Sequence, residues 1–297
     1  MNIESQDNHN MLITTQVTIY GHTVHLITHA ISQVHHEFMI QGVHLLGIEL
    51  SLYLPMKFRK SKGKEFAQIA TKYCDDRQIQ IRSITVESSA FLSCMQMMVH
   101  ALGTRPECKH EHNHFKTNKD LELLFIGHVA TEGVLRILYQ KEWQLQERFA
   151  SHYLHRLKQE TSNIDQTAVI QALLSHSHLS SIHAIVNGGV FSCLWDISLQ
   201  YNTGFEVDIR KFPILQETIE VCEFYGLNPY MMTSVGAFVI VCEHGDAVVE
   251  DLKNRGMTVQ TIGKLHETKD KCIHNREEIR YLDRSGMDEY ERFLLEN

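Results

Sequence analysis

The sequence lacks a paired-cysteine pattern, a long apolar run and an excess of positive charge. Its seven cysteines are odd in number and include no C-x-x-C pair, which argues against a disulfide framework. No apolar run approaches the ~20 residues of a membrane-spanning helix. The formal net charge of −8 argues against broad binding of nucleic acid or anionic membranes. The N-terminal MNIESQDNHN has neither the basic nor the apolar part of a signal peptide. We therefore expect a reduced, cytoplasmic protein.

What is present is typical of a soluble globular chain. Apolar residues make up 43% and charged residues 22% of 297 positions, which is enough for one large domain or two ordinary ones. The unusual feature is the content of histidine, 20 residues in all.

The first part of the chain is rich in strand patterns. After a tail over residues 1–10 that is expected to be disordered, apolar spacing predicts strands over 11–21, 45–55 and 79–87. It predicts helices over 22–41 and 61–78. The segment SAFLSCMQMMVHALG (89–103) fits a strand or a buried helix equally well. Residues 103–120 are polar and indicate an exposed loop or hairpin.

Helices and strands alternate in the second part. A strand over 121–130 is followed by helix to about residue 175. Further helices are expected over 190–201, 214–226 and 246–256, with strands over 204–209, 236–242 and 257–265, and a final strand and helix in the tail. The change of pattern predicts an α+β protein with an N-terminal domain over 11–130 and a C-terminal domain over 131–297.

A pair of glycines, Gly188 and Gly189, opens the helix predicted at 190–201. Backbone N–H groups at a helix N-terminus can bind an anion such as phosphate. Glycine is also needed where a turn is tight or where two segments pack closely. Both interpretations fit these residues taken alone.

Five segments resemble, in order, the C-terminal domain of the AIR synthase superfamily. They are GHVATEGVLRI, HAIVNGGVFSCLWDI, GFEVDIRKFPILQETIEVCEFYGLNPY, TSVGAFVIV and TVQTIGKL, all within residues 121–265. EIRYLDRSGMDEY is similar to the closing segment of HypE-like members. The resemblance implies a two-domain AIR-synthase-like architecture, with an N-terminal sheet domain that pairs two subunits and a C-terminal α/β sandwich. It also implies ATP and magnesium as cofactors.

Family positions for nucleotide and metal binding are only partly retained. The resemblance carries a cofactor-binding role to a set of six residues: Glu37, Glu87, Asn187, Gly188, Gly189 and Glu217. Gln16 replaces an acidic metal ligand, and Ala184 and Val186 replace an aspartate and a threonine ahead of the glycines. Because magnesium prefers carboxylate oxygens, these departures predict a degenerate ATP site and favour a structural role for the glycines.

Two histidine patterns suit zinc or nickel. The same patterns also fit a polar helix face in water or at a dimer interface, and an exposed loop that binds metal only weakly. His25, His29 and His36 fall on one face of the first predicted helix, next to Glu37, and the first two form an H-x-x-x-H pair. In CKHEHNHF, alternate residues would share one face of an extended segment, namely Cys108, His110, His112 and His114.

Three functions are consistent with these patterns. The first is a HypE-like accessory protein of metalloenzyme maturation without normal ATP-dependent catalysis, acting as a homodimer with a partner protein. The second is an active enzyme that uses ATP and magnesium at a rebuilt site. The third is a cytosolic metal-binding protein that uses its histidines. The missing acids favour the first.

Overall fold

Two separate sheets contain the strands of the residues that the structure describes. A computed structural model describes residues 10–58, 60–106, 121–161, 165–284 and 286–296. The chain divides into two units, Met1–Asn113 and His114–Asn297. The mixture of helices and two sheets confirms the predicted α+β class.

The first unit alternates strands and helices and then adds one strand. Its elements are β1 (Asn10–Gly21), α1 (His25–Ile40), β2 (His44–Pro55), α2 (Lys60–Asp75), β3 (Ile81–Ser89) and β4 (Met95–Pro106). The sheet order is β1-β4-β2-β3, with β2 and β3 parallel and the other pairs antiparallel. The tail predicted over 1–10 lies outside the described residues except for Asn10, which begins β1.

Both helices of this unit pack on one face of the sheet, here called the core face. The buried aliphatic side chains of β2 are Ile48, Leu50, Leu52 and Leu54, which alternate along the strand. Side chains of α1 and α2 belong to the same cluster. The intervening residues point to the other face, here called the open face. Among the described residues of this unit, no helix packs on the open face.

The ambiguous segment at 89–103 forms a strand from Met95 onward. In β4 the residues at every second position are buried, namely Met95, Met97, Val99 and Ala101. This two-residue period identifies a strand with one face in the core. β4 lies between β1 and β2, so its burial is that of a central strand.

The second unit builds a seven-stranded sheet with helices. Its strands are β5 (Glu122–Ile126), β6 (Leu179–Ala184), β7 (Gly204–Asp208), β8 (Phe238–Cys242), β9 (Val259–His266), β10 (Lys271–Asn275) and β11 (Glu278–Tyr281). Its helices are α3 (Thr131–Arg148), α4 (Ser151–Thr161), α5 (Thr167–Leu174), α6 (Gly189–Tyr201), α7 (Gln216–Phe224), α8 (Gly245–Asn254) and α9 (Glu289–Glu296). The sheet order is β11-β10-β7-β9-β5-β8-β6.

The predicted domain boundary at residue 130 comes too late. β5 pairs with β8 and with β9, so it is a central strand of the second sheet. A cut at residue 130 would remove this strand from its hydrogen-bonding partners, whereas the observed division falls between Asn113 and His114.

None of the helices in the described part of the chain is both long and apolar enough to cross a membrane.

Candidate functional site

Two glycines in the left-handed conformation bring the chain from β6 into α6. Gly188 has φ +83° and Gly189 has φ +67°. A Cβ atom on Gly189 would lie 2.6 Å from the backbone nitrogen of Met232 and 2.7 Å from the carbonyl oxygens of Met232 and Tyr230. Glycine is therefore required here for conformation and for the close approach of a second backbone segment.

A carboxylate of the same chain already binds the N-terminus of α6. The backbone N–H of Gly188 donates to Asp288 Oδ2 at 2.8 Å, and the N–H of Tyr290 donates to Asp288 Oδ1 at 2.8 Å. Nearby, Asn187 Nδ2 donates to Glu291 Oε1 at 3.1 Å. The segment that leads into α9 thus supplies the anion that this helix terminus would attract.

Burial dominates the electrostatics of Asp288. Its side chain is 3% exposed, and desolvation raises its pKa to about 6. The hydrogen bonds from Gly188 and Tyr290 lower the pKa, Glu132 raises it and Arg136 lowers it, but burial outweighs these contributions.

Arg136 supplies the positive charge beside this carboxylate. It is buried, its Nη1 lies 3.3 Å from Glu132 Oε1, and its guanidinium lies 3.8 Å above the Tyr290 ring. The group is a buried network that joins α3 to the start of α9.

Two internal contacts of the double-glycine turn oppose a phosphate bound at Gly188. The N–H of Gly188 is donated to Asp288, and the space beside Gly189 is filled by the backbone of residues 230–232. A phosphate at this position would face the Asp288 carboxylate, which repels it whenever that group is ionised.

Glu217 is also engaged within the protein. It is 4% exposed, lies in the first turn of α7 and forms an ion pair with Arg156 of α4. The position at a helix N-terminus favours its negative charge. The contact gives Glu217 a role in holding α4 against α7.

Glu37 and Glu87 lie on opposite faces of the first sheet. Thr15 Oγ1, on the core face of β1, donates to Glu37 at 3.2 Å, and Gln41 Nε2 lies 3.2 Å from the same carboxylate. Glu87 pairs in register with Tyr53, whose neighbours Leu52 and Leu54 are buried, so Glu87 points to the open face.

The two glutamates also lie at opposite edges of that sheet, because Glu37 of α1 contacts Thr15 of β1, whereas Glu87 lies in β3. β1 and β3 are the outer strands of four, about 14 Å apart at the usual strand spacing. The hypothesis that one magnesium ion is shared by this pair is therefore not supported within one protomer.

Gln16 lies in a cavity of about 470 Å³ on the first unit. It pairs with His100, which pairs with Glu49 on the next strand, and Arg82 also contributes to the wall. The cavity therefore carries one acid, one arginine and one histidine on the open face.

The histidines of α1 are only partly brought together. The ring centres of His25 and His29 lie 6.5 Å apart, and His29 and His36 are buried in the core. Across the described residues, no three His, Cys, Asp or Glu side chains are already placed to hold one metal ion. Cys108, His110, His112 and His114 lie outside the described residues, so their prediction stays a prediction.

Asp288 is the site residue that sequence reasoning missed. A sequence signal exists, because an aspartate directly ahead of the amphipathic EYERFLLE is a typical helix N-cap. The same pattern gives no hint that its carboxylate reaches a glycine one hundred residues earlier.

Known proteins share both the sequence pattern and the fold of this chain. The family described as AIR synthase related protein, C-terminal domain, matches residues 116–274, which is more than half of the chain. Carbamoyl dehydratase HypE of Rhizobium leguminosarum bv. viciae is 28% identical over 101 residues, which are 31% of this chain and 29% of that protein.

Solved structures extend the likeness to nearly the whole chain. E. coli HypE, a hydrogenase maturation protein, has a TM-score of 0.73 at 16% identity and covers 94% of this chain and 87% of its own. A HypE in complex with ATP has a TM-score of 0.70 at 12% identity and covers 92% and 84%. At these identities the likeness establishes a common fold.

Proposed function

This chain belongs to the AIR synthase-related family, and from that premise we propose that it is a HypE-like accessory protein of metalloenzyme maturation. In this proposal the protein acts in a process that depends on a nucleotide or a metal, but it lacks normal ATP-dependent catalysis. Metalloenzyme maturation is proposed because the proteins similar to this chain include a carbamoyl dehydratase and a hydrogenase maturation protein.

The observation that carries the proposal is the contact between Gly188 and Asp288. A helix N-terminus that binds a phosphate must offer its N–H groups and positive potential to the ligand. Here the first of those groups is donated to a buried carboxylate at 2.8 Å. The glycines of the motif are thus explained by packing and by this internal contact.

The positions of the acids support the same proposal. Phosphoryl transfer depends on positioned charge and on metal ions held by hard oxygen ligands. Glu37 is hydrogen-bonded on the core face, and Glu87 lies on the opposite face at the other edge strand. Gln16 offers a neutral amide in the position where the family resemblance implies an acid.

The assembly that we propose is a homodimer that acts with a partner protein of the maturation pathway in the cytoplasm. The open face is the surface we assign to the dimer. Thr18, Met98, Ser51 and Thr85 form a row across its four strands.

Catalysis can be tested on the pure full-length protein. Thermal unfolding is measured with and without Mg-ATP, and phosphate release is followed in parallel. A ligand that binds only the folded state raises its stability by about 2.7 kcal/mol at a hundredfold excess over the dissociation constant. We expect no saturable hydrolysis, whether or not ATP raises the unfolding temperature.

The variant Glu37→Ala and its control Glu65→Ala decide how any activity is interpreted. Glu65 is an exposed acid of the same unit that pairs only with Lys62 among the described contacts. Saturable hydrolysis that is lost in Glu37→Ala and kept in Glu65→Ala would establish an active enzyme and overturn the proposal.

The accessory role can be tested in the source cell. Deletion of the gene should lower the activity of the metalloenzyme that depends on it. The double variant Glu37→Ala/Glu87→Ala should restore that activity as well as the unchanged protein does. A double variant that fails to complement, although it is folded and present at normal level, would show that the acids are needed for chemistry.

A further inference from the structure

Three histidines meet at one end of the β6–β8 strand pair. Leu179, the first residue of β6, pairs with Cys242, the last residue of β8. The residues just before β6 and just after β8 therefore leave the sheet at the same end, and Glu243 N–H donates to the His178 carbonyl at 3.0 Å. His176 and His178 come from the SHSHL segment, and His244 comes from CEHGD.

The rings lie at spacings that suit a shared metal ion. The ring centres of His178 and His244 are 5.2 Å apart, and those of His176 and His178 are 6.0 Å apart. Two imidazoles on one tetrahedral zinc ion have ring centres roughly 5 Å apart, because each nitrogen lies about 2 Å from the metal. His244 has φ +54° at the start of α8, a conformation uncommon for a residue other than glycine.

Both ring nitrogens of His176 have surroundings that are typical of a histidine bound to a metal ion. Its Nε2 lies 3.4 Å from Asp251 Oδ2, and Arg255 Nε holds the same carboxylate oxygen at 2.9 Å. Its Nδ1 is buried and has no hydrogen-bond partner among the described residues. A histidine that ligates a metal commonly turns its other nitrogen to a carboxylate, which fixes the tautomer and the ring orientation.

We propose that His176, His178 and His244 bind one divalent transition-metal ion of the zinc and nickel class, and that Asp251 is a positioning residue for His176. Imidazole donors suit these ions and not magnesium. As placed, the three rings do not yet converge on one point. His178 and His244 are exposed, so the proposal requires only that their side chains change rotamer at the surface when the metal ion binds.

This site is separate from the two histidine patterns that the sequence suggests. It uses none of the residues of α1 and none of CKHEHNHF, and it lies within the second unit. Its failure would leave the proposed maturation role intact, because that role rests on the family and on Asp288.

The test is a titration of metal-stripped full-length protein with Zn²⁺ and Ni²⁺, and with Mg²⁺ as the hard-ion control. Cys108, His110, His112 and His114 are first replaced by serine or alanine, so that the other predicted cluster does not contribute. Binding is followed by calorimetry and by NMR of the imidazole nitrogens. We expect one Zn²⁺ per chain and shifts confined to the three named rings.

Variants distinguish this site from general surface binding. His176→Gln and His178→Gln should each weaken Zn²⁺ binding at least tenfold, and Asp251→Asn should weaken it by roughly tenfold. His152→Gln, which removes an exposed histidine of α4, should leave it unchanged. Equal affinity in all four variants, or imidazole shifts spread over many histidines, would overturn the proposal. Unfolding of the metal-free variants checks that each one folds.

Discussion

At the scale of single residues, the surroundings of Asp288 determine the pKa of its carboxyl group. It accepts two backbone hydrogen bonds, which stabilise its charged form, yet burial beside Glu132 raises its pKa to about 6. A carboxyl group in this state is partly protonated at mildly acidic pH. The attachment of the C-terminal segment to the double-glycine turn should therefore respond to pH.

We predict that Asp288 makes the protein more stable as pH falls from 6 to 4. An unfolded aspartate has a pKa of about 3.9, so between this pH and pH 6 the folded state holds a proton that the unfolded state has lost. The free energy of unfolding should fall as pH rises through this window and stay level above it, with an amplitude on the order of 2 to 3 kcal/mol. Urea unfolding at a series of pH values measures this slope.

The comparison uses Asp288→Asn and the exposed Asp76→Asn. The amide cannot ionise, so Asp288→Asn should lose this contribution to the pH slope. It should also lose one backbone hydrogen bond, because one amide oxygen replaces two carboxylate oxygens that accept from Gly188 and Tyr290. Asp76→Asn should keep the slope of the unchanged protein. An unaltered slope in Asp288→Asn would place the titration on another group.

At the scale of elements, the turn between β6 and α6 requires glycine for two separable reasons. Gly189 and Gly226 have nearly the same φ, +67° and +65°. A Cβ atom on Gly226 meets nothing within 4 Å, whereas one on Gly189 meets the backbone of Met232. Comparing substitutions at these two glycines therefore separates two contributions to the loss of stability: the left-handed backbone conformation and the steric contact of the added Cβ atom.

We predict that Gly189→Ala destabilises the protein far more than Gly226→Ala. The left-handed conformation alone costs about 1 kcal/mol, and forcing the 230–232 backbone away brings the total for Gly189→Ala to roughly 3 kcal/mol. Urea unfolding of both variants gives the difference. Equal losses would mean that the 230–232 segment moves aside easily and that the close contact is not a constraint.

Most elements could be predicted from the sequence because their apolar periods are strong. β8 is buried along its whole length, β2 buries every second residue from Ile48 to Leu54, and the amphipathic α8 ends at Asn254, two residues before Gly256. The sequence does not predict β6 and β10, because LSSIHA and KCIHN are short and polar and form strands through their neighbours in the sheet.

The arrangement of the candidate site could not be predicted from the sequence, because it depends on strand register and on distant contacts. A shift of one residue moves a side chain such as Glu87 to the other face, so its separation from Glu37 becomes visible only once β2 and β3 are paired. The contact from Asp288 to Gly188 likewise joins segments that no local pattern connects.

At the scale of the whole molecule, the open face of the first sheet is the surface that dimerisation would bury. Met98 of the central strand β4 lies between Thr18 and Ser51, in a row whose other side chains are polar. Stable interfaces bury about 800 Å² on each partner, an area that such a four-stranded face can supply.

We predict that the protein is a dimer in solution and that Met98→Lys converts it to a monomer. A lysine in the middle of the open face would have to lose its water in the dimer without gaining a partner charge, which opposes association. The monomer itself should stay folded, because the neighbouring core residues Met97 and Val99 point to the other face.

Light scattering after gel filtration gives the mass of the particle in solution. The matched control is Gln68→Lys, on the exposed surface of α2, which should remain a dimer. A Met98→Lys protein that remains dimeric would move the interface elsewhere, and an unchanged protein that is already monomeric would remove the dimer from the proposed function.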